Sequence, residues 1–215
     1  MIKKYNDFII ENSILNKIGN CFPDSLIDEV HQLCREYGIR NYRINEDGSV
    51  DVDGNVDLRF RELREMPLKF NKVSGYFYCN SNLLTNLRGC PNIVGRDFYC
   101  RDNKLSSLEN LSLNIGGELN CTHNQIWTFN GINYIKENFD CSENPIYSIY
   151  RFFIRNDINH LNKTRFIDIV SSYETLFPRP DIIDPNTLEQ IADDLKVKLP
   201  LDFIEILEKA GYQVL

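Results

Sequence analysis

Phe77-Tyr-Cys79-Asn-Ser-Asn82-Leu-Leu84, Phe98-Tyr-Cys100-Arg-Asp-Asn103-Lys-Leu105, Leu119-Asn-Cys121-Thr-His-Asn124-Gln-Ile126 and Phe139-Asp-Cys141-Ser-Glu-Asn144-Pro-Ile146 are four copies of one short phrase. The cysteines stand 21, 21 and 20 residues apart, and an asparagine follows each by three. A further apolar residue follows each phrase (Leu87, Leu108, Phe129, Ile149), and another precedes it (Val73, Val94, Ile115, Ile135). A degenerate unit comes first, with Leu58 in the cysteine slot, Leu63 and Met66 after it, and Arg61 in place of asparagine. A repeat this short cannot bury its own apolar face; it becomes stable only by stacking on its neighbours.

Within each phrase, apolar residues at the cysteine and two before it alternate with polar or aromatic ones. That is the period-2 pattern of a short strand. The asparagine then turns the chain, and its amide can bond backbone groups of adjacent turns as a ladder. Gly75, Gly95, Gly116 and Gly117 lie just before the strands, where a sharp bend is expected.

This pattern resembles the leucine-rich repeat, with Phe and Cys in place of two leucines. More narrowly, it is similar to the short repeats of leucine-rich-repeat proteins encoded by tailed bacteriophages, as is the lead-in from Asp47 to Leu58. The resemblance covers roughly residues 45 to 150. It implies an α+β solenoid: a leucine-rich-repeat-like stack of about five short parallel coils, with helical caps at both ends. Residues 1–44 would form the N-terminal helical cap, 45–150 the solenoid and 151–215 a C-terminal helical region. It implies no catalytic, cofactor or metal residues.

The flanks carry helix signals. Apolar residues from Ile2 to Ile18 have helical spacing, and a second helix is expected from Pro23-Asp24-Ser25 to a stop at Gly38. Asp47-Gly48 between Tyr42–Ile44 and Ser49–Val52 reads as a hairpin opening the sheet. After Asn144 the repeat gives way. Pro145 can open a helix whose stripe (Ile146, Ile149, Phe152, Phe153) covers the last coil. Further helices fit 163–176, the segment after the Asp184-Pro185 cap, and Leu201 to Lys209.

Composition narrows the function. No apolar run is long enough to cross a membrane, and no signal-peptide core follows the first residues, so a cytoplasmic location is expected. The seven cysteines include four in the ladder, where a thiol acts as a small buried hydrophobe, and no C-x-x-C pair suggests zinc. The net charge is −7, and the solenoid from 56 to 144 balances ten basic against ten acidic side chains. Such a chain lacks the basic footprint of a general nucleic-acid binder. Arg59, Arg61 and Arg64 read as a solvated trio. No H-E-x-x-H, G-x-S-x-G or phosphate-loop motif occurs, and the three histidines stand apart from one another.

Outward positions alternate with the ladder: Tyr76, Tyr78 and Asn80; Asp97, Tyr99 and Arg101; Glu118, Asn120 and Thr122; Asn138, Asp140 and Ser142. Tyrosine and arginine are enriched at interface hot spots. The candidate partner-binding residues are therefore Tyr76, Tyr78, Asp97, Tyr99, Arg101, Asn120, His123 and Trp127. Trp127 occupies a slot that holds Thr85 and Ser106 in other coils, which suggests a contact, with the C-terminal helices before a partner.

The expected function is an intracellular protein-binding module that uses its strand face. The phage resemblance implies a host or phage protein as partner, and inhibiting a host factor or defence system is one way such a module could act. Two alternatives stand beside it. One is a structural or virion component in which the solenoid bridges copies, so self-association is open. The other is the substrate-recognition part of an enzyme, which the tail does little to support, having no cysteine after Cys141.

Overall fold

A computed structural model describes residues 24–111, 114–132, 134–154, 176, 179 and 181–215. Its centre is a β-solenoid of about four turns. Each turn contributes two very short strands, which stack in parallel into two sheets. The first sheet begins with the hairpin β1 (Tyr42–Ile44) and β2 (Val50–Val52), then continues through β4 (Phe70–Val73), β6 (Ile93–Val94), β8 (Asn114–Ile115) and β10 (Tyr134–Ile135). The second stacks β3 (Val56–Asp57), β5 (Phe77–Tyr78), β7 (Phe98–Tyr99), β9 (Leu119–Asn120) and β11 (Phe139–Asp140). Every pairing between turns is parallel, with Phe77 level with Phe98 and Tyr78 with Tyr99.

The repeat phrase predicts only the second sheet. The apolar residue six before each cysteine lies in the first: Val73 pairs with Val94, and Val94 with Ile115. Strands β6 and β8 are two residues long, too short for an alternation to show in sequence.

Inside the coils the side chains form columns. Cys79, Cys100, Cys121 and Cys141 are fully buried with free thiols, as is Cys34, and Cys90 is also a buried free thiol. Phe77 meets Phe70 edge-on at 5.3 Å and Phe98 at 5.2 Å between centroids. Beside them runs the asparagine ladder. Asn103 Nδ2 donates to the carbonyls of Cys79 and Cys100, both at 3.0 Å, and its Oδ1 accepts from the Leu84 amide at 3.0 Å. Asn124 and Asn144 repeat this one and two coils on, accepting from the Leu105 and Ile126 amides. Asn82 begins it, reaching Leu58 and Cys79 carbonyls and the Arg61 and Leu63 amides. Each amide thus joins two coils and satisfies buried backbone groups that a turn leaves unpaired.

The sharp bend lies elsewhere than expected. The left-handed residues are Ser81, Asp102, His123 and Glu143, with φ of 57°, 54°, 53° and 56°, immediately before each ladder asparagine. Gly95 and Gly116 serve close approach instead: a Cβ on either would run into the carbonyl oxygen of the coil below, Ser74 or Gly95.

Both ends are covered. Helix α1 (Asp24–Glu36) buries Val30, Leu33 and Cys34. It ends in a Schellman turn: Gly38, at φ 66°, donates to the Arg35 carbonyl, and Ile39 to Cys34 at 2.8 Å. The helix expected over residues 2–18 lies outside the described residues. At the far end, α2 (Tyr147–Ile154) lays Ile149, Tyr150 and Phe153 on the last coil, with Tyr150 edge-on to Phe139.

The C-terminal region differs from the purely helical expectation. It holds α3 (Pro185–Leu195) and α4 (Phe203–Lys209), and also two strands, β12 (Ile182–Ile183) and β13 (Gln213–Val214), paired in parallel. Asp184 caps α3 as its sequence predicts, accepting from the Asn186 amide at 3.0 Å and the Thr187 hydroxyl at 2.6 Å. The segment 163–175 is outside the described residues.

Candidate functional site

The second sheet presents the candidate face. In each of its strands the first side chain is buried and the second points outward, placing Asp57, Tyr78, Tyr99, Asn120 and Asp140 in one column. Parallel rungs lie about 4.8 Å apart, so neighbouring aromatics in such a column must stack. Tyr78 and Tyr99 do so, with centroids 5.3 Å apart and planes 15° from parallel. Tyr76 extends the stack on Tyr78 at 5.8 Å and 12°. Arg59 lies over the Tyr78 ring, 4.9 Å from its centroid, and its guanidinium binds Asp57 at 2.6 Å.

Several predicted site residues have structural work. The Asp97 carboxylate accepts from the Tyr99 hydroxyl at 3.0 Å and from the Glu118 amide of the next coil at 2.9 Å. A Cβ on Gly117 would collide with that carboxylate, which is why glycine precedes Glu118. Asn55 does the same two repeat units earlier, accepting from the Tyr76 amide beside Gly75. Asn120 closes an Asx turn onto the amide and hydroxyl of Thr122, as Asp140 does onto Ser142. Asn80 and Thr122, expected to point outward, are buried at 4% and 6% exposure. The chain is already turning into the asparagine corner there, so strand alternation no longer holds.

Arg101 is exposed and pairs with its neighbour Asp102 at 3.0 Å. His123 is exposed at the left-handed corner, with no ion pair to it among the described residues. Trp127 is drawn away from the face. Its ring meets Tyr212 edge-on at 5.3 Å, Tyr212 donates to the Trp127 carbonyl at 2.7 Å, and Gly211 sits against the indole. The contact with the C-terminal region is thus intramolecular.

Phe60 is the residue that sequence reasoning missed. It occupies the corner column of Ser81, Asp102, His123 and Glu143, in a left-handed conformation at φ 56°, and is 74% exposed. A bulky side chain is uncommon in that conformation. The signal was available: in register with Leu58 as the cysteine slot, Phe60 is the only aromatic in its column.

Electrostatics grade along the face. Burial raises the Glu118 pKa, and the nearby carboxylates of Asp97, Asp140 and Glu137 push it further, against a hydrogen bond from Asn120. Burial and the Asp97 hydrogen bond also hold the Tyr99 hydroxyl well above its usual value. The ladder thiols are raised by burial, which keeps them protonated and unreactive. No group of three metal-ligating side chains converges among the described residues, and none of their helices is long and apolar enough to cross a membrane. Away from the face, a cleft of about 350 Å³ opens between α3 and α4, lined by Ala192, Val197, Leu199, Leu201 and Phe203.

No family model, curated protein or solved structure matches the chain.

Proposed function

We propose that this protein is a binding module, acting by contact rather than catalysis, whose strand face recognises another protein. The observation that carries this reading is the stack of Tyr76, Tyr78 and Tyr99, half-buried at the surface of a sheet whose interior is already filled. Rigid aromatic side chains on a fixed scaffold lose little entropy on binding and desolvate well. The exposed Phe60 at the same end supports it.

The finer reading follows the repeat phrase. The solenoid is a leucine-rich-repeat-like stack, five coils if the degenerate unit at Leu58 is counted, of the kind encoded by bacteriophages. On that reading it works in the host cytoplasm, and its partner is a host or phage protein whose activity it blocks. A pull-down from host lysate with the full chain tests this. Stoichiometric recovery of one cellular protein is the expected result; recovery only within phage particles would favour a structural role in which the solenoid bridges copies.

A further inference from the structure

The tyrosine stack has two ends that differ in one respect. At the first, where Tyr76 also stacks, Arg59 lies on Tyr78 and is held by Asp57. An aromatic ring beneath and a carboxylate beside it are the two contacts a guanidinium favours. At the second end, Tyr99 is the last ring, because the next rung carries Asn120. Asp97 and Glu118 flank that ring, with Asp140 beyond. Among the described residues, no cation lies over Tyr99, and no ion pair engages Glu118 or Asp140.

Resting on the reading that this face contacts a protein, we propose that it takes an arginine side chain of the partner over Tyr99, with Glu118 as the pairing carboxylate. The occupant is an arginine-bearing segment laid on the later coils, and Arg59 on Tyr78 is its counterpart within the chain. Charge complementarity supports the choice. Glu118, Glu137 and Asp140 lie on this half of the face; burial first and like-charge repulsion second raise the Glu118 carboxyl, and an incoming cation would relieve the repulsion. Lysine fits less well, since it lacks the planar group that stacks on a ring while binding a carboxylate edge-on.

The test uses the full chain at low salt and two ten-residue glycine–serine peptides, identical except for three arginines or three lysines. The arginine peptide is expected to bind about five-fold more tightly, the scale of a cation–π contact at a partly exposed site. Tyr99→Leu and Glu118→Gln should each remove that preference, while Asp193→Asn on α3 should leave it. Equal affinity for the two peptides, or a preference that survives Glu118→Gln, overturns the proposal. Should Tyr99→Leu fail to fold, Glu118→Gln decides alone, because glutamine keeps a side-chain oxygen that can accept the Asn120 hydrogen bond. A protein partner captured from lysate and lost on mutating Tyr78 and Tyr99, alongside peptides bound equally, would sink the arginine inference and leave the contact face standing.

Discussion

Single residues carry this fold in a way that can be measured. Asn103 satisfies two carbonyls and an amide on two coils. Asn103→Ala leaves the buried Leu84 amide unpaired, at a cost of about 1–3 kcal/mol, while the Cys79 and Cys100 carbonyls each lose one of two asparagine donors and keep Asn82 and Asn124. Urea unfolding should show a loss of about 2 kcal/mol; a loss under about 1 kcal/mol would mean the ladder is incidental. Cys100 is the contrasting case. It is buried without a polar task, so Cys100→Ala should be tolerated, whereas Cys100→Asp places an unpaired charge in the core and should abolish folding. Thiol labelling of the native protein should be slow at all four ladder cysteines, since burial keeps both reagent and ionisation away.

Glu118 gives a pH signature with a definite sign. Its folded-state pKa is raised, so the charged carboxylate disfavours folding, and protonation relieves this as pH falls through the folded value. Asp57 runs the other way: its hydrogen bond from Arg59 lowers its pKa, giving stability that is present above the unfolded value and lost in acid. At pH 7, Glu118→Gln should therefore be more stable than the parent, and the gap should narrow as pH drops into the carboxyl range. A gap that widens in acid would contradict the assignment.

At the scale of elements, the Schellman turn after α1, the Asp47-Gly48 hairpin and the Asp184 cap of α3 are legible because each depends on one residue with one geometric task. The ladder strand is legible because four copies reinforce a pattern that a two-residue strand cannot show alone. Strands β6, β8 and β10 of the first sheet and the β12–β13 pair were not, since a two-residue strand has no period and parallel pairing across about thirty residues leaves no local mark. The same limit hid the roles of Asp97 and Asn120, whose bonds depend on where the corners fall. The contact of Trp127 with Tyr212 ties the tail to a coil. Trp127→Ala should leave the solenoid folded while amides of β13 lose protection from hydrogen exchange; unchanged protection there would show that the tail is held by other contacts.

The whole molecule is a stack that needs its ends. A solenoid exposes apolar rungs unless something covers them, and here α1 and α2 do so. Residues 56–144 alone are expected to aggregate; a soluble monomer with a cooperative melt would show that the coils stand by themselves. With both ends and the interior occupied, the tyrosine face is aromatic surface that folding does not require. The decisive comparison is the parent chain against Tyr78→Ala, Tyr99→Ala and Arg101→Ala combined, with melting temperature and partner capture read on the same samples. Losing the stack should remove about 1–2 kcal/mol, a few degrees of melting temperature, while capture of the partner disappears. A triple variant that unfolds would make these side chains part of the scaffold. One that melts normally and still captures the partner would move the interface elsewhere, first to the cleft between α3 and α4.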